Sequence, residues 1–264
     1  MELPGGALAA AEAAADLAGS AIRPLFRSAL LVEAKGDASP VTEADRAAER
    51  AMRGLLRERF PGHGILGEEF GPERADAEWL WVLDPIDGTR AFVTGRPLFG
   101  TLIGLLHRGR PVLGVIDQPG IGERWIGVAG EPTRFRSPLG GAPRCRPCAG
   151  MADAELSCTS PDIFVAETRP GFERLRAAAR RVTWGGDCYA YGLLALGLVD
   201  VVVEAGMQPW DWAALVPVVE GAGGRMVDWE GQPLRPGGGD RVIAVGDPDL
   251  LPQAVSLLSP DGTE

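Results

Sequence analysis

Apolar residues recur at helical spacing near the start of the chain, where Leu8, Leu17, Ile22, Leu25 and Phe26 predict a helix over residues 7–31. A polar, turn-rich link from Lys35 to Pro40 follows. Thr42 stands three residues before Asp45, a loose capping-box pattern that opens a second helix running to about Phe60. Pro61-Gly62-His63-Gly64 stops it, and Ile65-Leu66-Gly67 leads into the acid pair Glu68-Glu69. Trp79–Leu83 is a continuous apolar run that reads as a buried strand. Residues 98–106 and 111–118 predict two adjacent strands joined at Arg108-Gly109-Arg110-Pro111, with a third near Arg124–Ala129.

The second half alternates. Strands are expected at 155–159, 181–184, 199–204, 224–228 and 241–245, and helices at 168–179, 187–198 and 211–222, with a terminal helix to about Leu258. Such alternation predicts an α/β unit with a layered sheet. Pro217 conflicts with the 211–222 helix and predicts a kink. Residues 130–150, rich in Gly, Pro and Arg, are the expected boundary between an α+β N-terminal lobe (1–135) and an α/β C-terminal lobe (136–264). The tail Ser259–Glu264 is expected to fray.

A chain of 264 residues is ample for a large core, and its net charge of −10 argues against general affinity for nucleic acid or anionic membrane. The alanine-rich N-terminus carries Glu2, Glu12 and Asp16 without a basic leader, so it reads as an amphipathic helix rather than a signal peptide. No apolar run approaches the roughly 18 residues of a membrane span, and the expected compartment is the cytoplasm. Cys145-x-x-Cys148 has no second close pair to complete a zinc site, and His63 and His107 stand far apart in sequence.

The densest chemistry lies in Trp79-Leu80-Trp81-Val82-Leu83-Asp84-Pro85-Ile86-Asp87-Gly88-Thr89. It reads as a strand ending in two carboxylates, three residues apart around a stiffening proline. Gly88 permits close backbone approach to a ligand, and Thr89 suits the start of a helix, whose free N–H groups attract anions. Two hard oxygen ligands beside a phosphate cradle suggest Mg²⁺-assisted phosphoryl chemistry. Glu68 follows a short strand, Asp211 precedes an apolar helix in Gln208-Pro209-Trp210-Asp211-Trp212, and Asp45 opens the second helix. Asp45 and Asp211 serve equally as helix caps, and Glu68 as a solvated loop acid. Their joint placement at strand and helix ends is where ligands gather in α/β architectures.

Gly67-Glu68-Glu69, Asp84–Thr89, and Trp210-Asp211 with the later Glu220-Gly221-Ala222-Gly223-Gly224 resemble the inositol monophosphatase superfamily in order and spacing, from about Ala10 to Asp247. Within it, Ser39–Asp45, Phe92–Thr101 and Gly186-Asp187-Cys188-Tyr189-Ala190-Tyr191 most resemble the histidinol-phosphate phosphatase branch. The resemblance implies a sugar-phosphatase-like α-β-α-β-α sandwich with one active site between two lobes, and a homodimer. It implies that Glu68, Asp84 and the Ile86 carbonyl hold a first Mg²⁺, and that Asp84, Asp87 and Asp211 hold a second. Glu68 would help with a weaker third, and Mn²⁺ is an alternative ion. Gly88 and Thr89 N–H groups would take the phosphate, with Asp87 and Asp211 also lining the substrate site. Thr89, backed by Asp45, would orient a metal-activated water, with Glu68 assisting.

Asp187 and Glu204 are carboxylates aimed towards the same mouth, suited to the ammonium and imidazole of L-histidinol phosphate. Their bland readings are a helix cap and a loop acid. Tyr189 and Tyr191 either line the pocket or pack in the core; Arg96 either steers phosphate or is solvated. A broader inositol, sugar or nucleotide phosphatase is the enzymatic rival. A non-catalytic binding module is the other, against which the complete carboxylate set stands.

Overall fold

The computed structural model describes residues 2–28, 32–34 and 40–259. Residues 35–39 of the expected 35–40 link, residues 29–31, Ser39 of the Ser39–Asp45 segment and nearly all of the 259–264 tail lie outside the described residues, and the helix expected over 7–31 ends at Ile22, with residues 23–28 in turns and a bend. In chain order the elements are α1 (Ala7–Ile22), β1 (Val32–Ala34), β2 (Pro40–Thr42), α2 (Glu43–Arg59), β3 (Gly64–Gly67), β4 (Gly71–Glu73), β5 (Trp79–Asp87), α3 (Thr89–Val93), β6 (Gly100–His107), β7 (Arg110–Gln118), β8 (Glu123–Val128) and β9 (Arg134–Arg136). Then follow β10 (Glu155–Cys158), α4 (Arg169–Ala178), β11 (Arg181–Trp184), α5 (Asp187–Ala195), β12 (Val201–Glu204), α6 (Pro209–Trp212), α7 (Leu215–Gly221), β13 (Arg225–Asp228), β14 (Val242–Val245) and α8 (Leu251–Leu258).

Two large sheets organise the described residues. One has seven strands in the order β4-β3-β5-β6-β7-β8-β9, antiparallel except for β3 beside β5. The other has five, β11-β10-β12-β14-β13, with its first three strands parallel. Successive strand side chains point to opposite faces, and β5 shows the result. Trp81 and Leu83 pack against α1 and α2, whereas Leu80 and Val82 face a middle layer of α5, α6 and α7. That layer also packs on Val202, Val242 and Ala244 of the second sheet, whose far face carries α4 and α8. The layers therefore run α-β-α-β-α, the sandwich the sequence implied.

Three further local expectations need correction. The buried stripe of α1 is Ala7, Ala10, Ala11, Ala14, Ala15, Ala18 and Ile22, while Leu17 is exposed; small side chains let α1 lie close against Ala44 and Ala48 of α2. The strand expected to stop at Leu83 continues to Asp87. The single helix expected over 211–222 is two, parted at Ala213 and Ala214. Pro217 cannot donate to the carbonyl four residues earlier, so the break falls there rather than at the proline.

Gly104, Gly114 and Gly127 are cross-strand neighbours on β6, β7 and β8. A Cβ on Gly104 would lie 3.0 Å from Ala213 Cβ; on Gly114 it would strike the Ala214 carbonyl, and on Gly127 the Pro217 backbone. The main chain of α6–α7 thus rests directly on a strip of sheet without side chains. Gly114→Ala should destabilise the protein by about 1–3 kcal/mol or more, since neither backbone can yield cheaply. Gly54→Ala, on the exposed face of α2 with nothing within 4 Å, should stabilise it by about 0.5–1 kcal/mol. Urea midpoints of the two variants check both signs.

Candidate active site

In a regular strand, residues three apart point to opposite faces. Asp84 and Asp87 do not, because β5 carries an extra residue between them: Asp84 pairs with Leu102 and Asp87 with Gly100. This bulge falls at Pro85, which has no N–H to give the ladder. Thr101 Oγ1 pins it by donating to the Pro85 carbonyl at 2.8 Å. Both carboxylates consequently face the middle helical layer. There Asp211, at the start of α6, joins them, so that one oxygen of each lies within 4.8 Å of the others.

Asp211 is also the third residue of a capping box, its Oδ2 accepting from Gln208 N–H at 2.7 Å. Capping and convergence on the site are thus done by one side chain. Glu68 leaves β3 alongside, its N–H donating to Leu83 O at 3.1 Å. Asp84 is buried and its pKa is raised, first by desolvation and then by the charges of Glu68, Asp87 and Asp211. Glu68 follows Gly67, which pairs with Leu83 across the parallel β3–β5 ladder, and so stands beside Asp84. Asp84 Oδ1 is one of two buried side-chain polar atoms without a hydrogen-bond partner among the described residues. An orphaned buried oxygen among four carboxylates is the donor set a hard divalent cation requires. The residues fit such an ion.

Asp87, half-buried, has its pKa raised to about 6 by burial, opposed by the Cys188 thiol and by the Cys188 N–H, which donates to Oδ2 at 2.5 Å. Gly88 adopts φ 83°, and a Cβ there would come within 3.0 Å of Leu98 O and 3.2 Å of Asp187. Thr89 begins α3, and its hydroxyl donates to Ile86 O at 3.0 Å. That carbonyl keeps a second lone pair for another partner. Asp45, expected to back Thr89, has its Oδ2 accepting from the Thr42 hydroxyl at 2.6 Å and the Thr42 N–H at 2.8 Å. Asp45 still lies near enough to Glu68 for that charge to add to the burial that raises its pKa.

A cleft of about 150 Å³ opens beside the cluster, lined by Asp87, Asp187, Asp211 and Glu204 together with Ile163, Tyr191, Met207 and Leu215. Asp187 is not a cap. It sits at φ 44°, makes no capping hydrogen bond to α5, and lies against Gly88. Burial, then the charge of Asp87, raises its pKa to about 7. Glu204, the buried last residue of β12, accepts from Thr159 N–H at 2.7 Å and from Thr159 Oγ1 at 3.0 Å; burial still lifts its pKa to about 8. Tyr191 lines the cleft, whereas Tyr189 packs edge-on against Trp125 and donates to Glu123 at 2.6 Å. Arg96 lies with Arg90 in a neighbouring groove that also touches Asp187 and Thr159.

The inositol monophosphatase family model matches residues 7–259. The chain is 44% identical to the chloroplastic bifunctional phosphatase IMPL2 of Arabidopsis thaliana, covering 95% of this chain and 74% of that protein. It is 38% identical to a histidinol-phosphatase of Mycobacterium tuberculosis, covering 82% and 84%. A solved inositol monophosphatase from Zymomonas mobilis superposes with a TM-score of 0.87 at 49% identity, covering 95% and 96%. Among the described residues no helix is long and apolar enough to cross a membrane.

Carboxyl groups with raised pKa values bind protons more tightly folded than unfolded. Their stabilisation is present at low pH and is lost as pH rises through the folded values. Between about pH 6.5 and 8 the metal-free protein should therefore lose thermal stability as Asp187 and Glu204 are forced to ionise. His63, whose pKa burial lowers, titrates below that window. Adding Mg²⁺ should flatten the slope, because the ion binds the deprotonated cluster. Melting curves at both ends of the window, with and without Mg²⁺, check this; a slope indifferent to the ion would refute the cation site.

Proposed function

The chain belongs to the inositol monophosphatase family and is a phosphatase, and we propose that it hydrolyses L-histidinol phosphate in a Mg²⁺-dependent reaction. The observation that carries the phosphatase chemistry to these residues is the convergence of Asp84, Asp87 and Asp211, with Asp84 Oδ1 buried and unpartnered, beside the start of α3. Glu68, Asp84, Asp87, Asp211 and the Ile86 carbonyl are the oxygens that would hold Mg²⁺, with Mn²⁺ as substitute. A bound divalent ion neutralises phosphate charge and lowers the pKa of water.

The chain's own groups do the rest. Gly88 and Thr89 present backbone N–H groups that have no intrahelical acceptor, suited to phosphate oxygens. The Thr89 hydroxyl, by turning from the Ile86 carbonyl, reaches the water that attacks phosphorus. Asp45, anchored on Thr42, supports that water through the Glu68 side of the cluster. The reaction uses no covalent protein intermediate: the water oxygen bonds to phosphorus as the ester P–O bond breaks, and a proton lost by that water ends on the departing alcohol oxygen.

Specificity is assigned to the cleft formed where the 1–135 and 136–264 lobes meet. Asp187 lies against Gly88, so a phosphate seated there places its alcohol portion beside Asp187 and Glu204. Two carboxyl groups in a half-apolar cleft favour an ammonium or imidazolium over a neutral polyol. The M. tuberculosis histidinol-phosphatase supports this reading. The Z. mobilis inositol monophosphatase, at 49% identity, favours a second reading in which inositol phosphate is the substrate.

Phosphate release with Mg²⁺ from histidinol phosphate, inositol 1-phosphate, fructose 1,6-bisphosphate and a 3′-phosphonucleotide separates the two. A preference above about a hundredfold for histidinol phosphate, roughly 2.7 kcal/mol, is expected; a flat profile would leave a general phosphatase. Asp187→Ala should lower kcat/KM for histidinol phosphate about tenfold more than for a generic ester, roughly 1.4 kcal/mol. Equal losses on both would make Asp187 structural. Asp84→Asn should cut kcat by about a thousandfold or more while the fold persists, measured by turnover alongside circular dichroism.

A further inference from the structure

Helix α2 carries a second line of buried side chains beside its apolar stripe, at a four-residue spacing: Asp45, Glu49 and Arg53. Asp45 faces Thr42, but Glu49 and Arg53 reach out of the helix to a different segment. Glu49 Oε2 accepts from Glu69 N–H at 2.7 Å, and Oε1 accepts from Phe70 N–H at 3.2 Å and from Arg53 Nε at 2.7 Å. Arg53 donates in turn to the Gly71 carbonyl, and its guanidinium lies 3.7 Å from Glu73. Gly67 completes the fit, since a Cβ there would collide with the Glu49 carboxylate. The backbone of residues 69–71 is thus tied down on one side of Glu68, and the N–H of Glu68 itself is tied to β5.

A buried ion pair seldom repays its desolvation through attraction alone. This one directs its hydrogen bonds to main-chain groups of the turn that carries Glu68, which stands next to Asp84 in the β3–β5 register. We propose that the Glu49–Arg53 pair positions Glu68 and thereby sets the affinity of the acidic cluster for a divalent cation. Neither residue belongs to the cluster, and the inference rests on reading that cluster as a cation site. Partners that orient a metal ligand typically change metal affinity about 10–100-fold when altered.

The test is direct binding of Mg²⁺ to metal-free wild type, Glu49→Gln and Arg53→Lys by calorimetry, with circular dichroism and melting curves in the metal-free state. Glu49→Gln should stay folded and bind Mg²⁺ about tenfold more weakly, with kcat at saturating Mg²⁺ within about threefold of wild type. A folded Glu49→Gln whose Mg²⁺ affinity stays within about twofold of wild type would reduce the pair to a structural brace. If Glu49→Gln does not fold, Arg53→Lys carries the comparison: it keeps the charge but loses the fork that reaches Gly71, and is judged by the same thresholds. If wild type binds no Mg²⁺, the cation reading itself fails and the proposal falls with it.

Discussion

Like charges brought together out of water are the constraint around which this molecule is built. Asp84, Asp87 and Asp211 would separate if their backbones allowed it, and the raised pKa values of Asp84 and Asp87 record the cost of refusing them that choice. The refusal comes from elements that cannot rotate away. A bulged strand locked at Pro85 and Thr101 aims two of the carboxylates, and a capped helix start aims the third. Such a cluster is costly alone and favourable around a cation, so one arrangement explains both the burial and the chemistry.

The middle helical layer connects this cluster to whatever the cleft receives. Helices α5 and α7 pack on both sheets at once, so the ends of the first sheet and the carboxylates of the second share one opening. Asp187 shows how tight the junction is. It occupies a left-handed conformation, strained for a residue with a Cβ, beside a glycine that is itself left-handed. Backbone strain at that meeting point holds a carboxylate against the start of α3.

Much of this could be read from residue types. The Asp84–Thr89 segment, the Thr42–Asp45 box and the strand–helix alternation after residue 150 each rest on local chemistry, and local chemistry is what a sequence displays. Pro85 was legible as a stiff turn, but not as a bulge that lets the strand continue, because the extra residue is defined only by its partners on β6. The stripe on α1 is hidden in the sequence for a related reason: alanine serves equally at a surface and in a close helix contact. Glu49 and Arg53 had a signal in their four-residue spacing. On a helix that also carries Arg46, Arg50 and Arg57, nothing in the sequence distinguishes a buried pair from solvated ones. Thr89 and Asp45 were linked by resemblance, and the structure gives each a nearer partner.

The glycine strip under α6–α7 carries a consequence for how the site tolerates change over time. Where a helix is spaced from a sheet by side chains, any substitution in the layer between them alters the gap. Here the gap is set by main-chain atoms in van der Waals contact, which is as short as it can be and is the same whatever side chains surround it. Drift elsewhere in the core can therefore raise or lower stability without moving Asp211 relative to β5. The geometry of the carboxylate cluster is insulated from the packing around it.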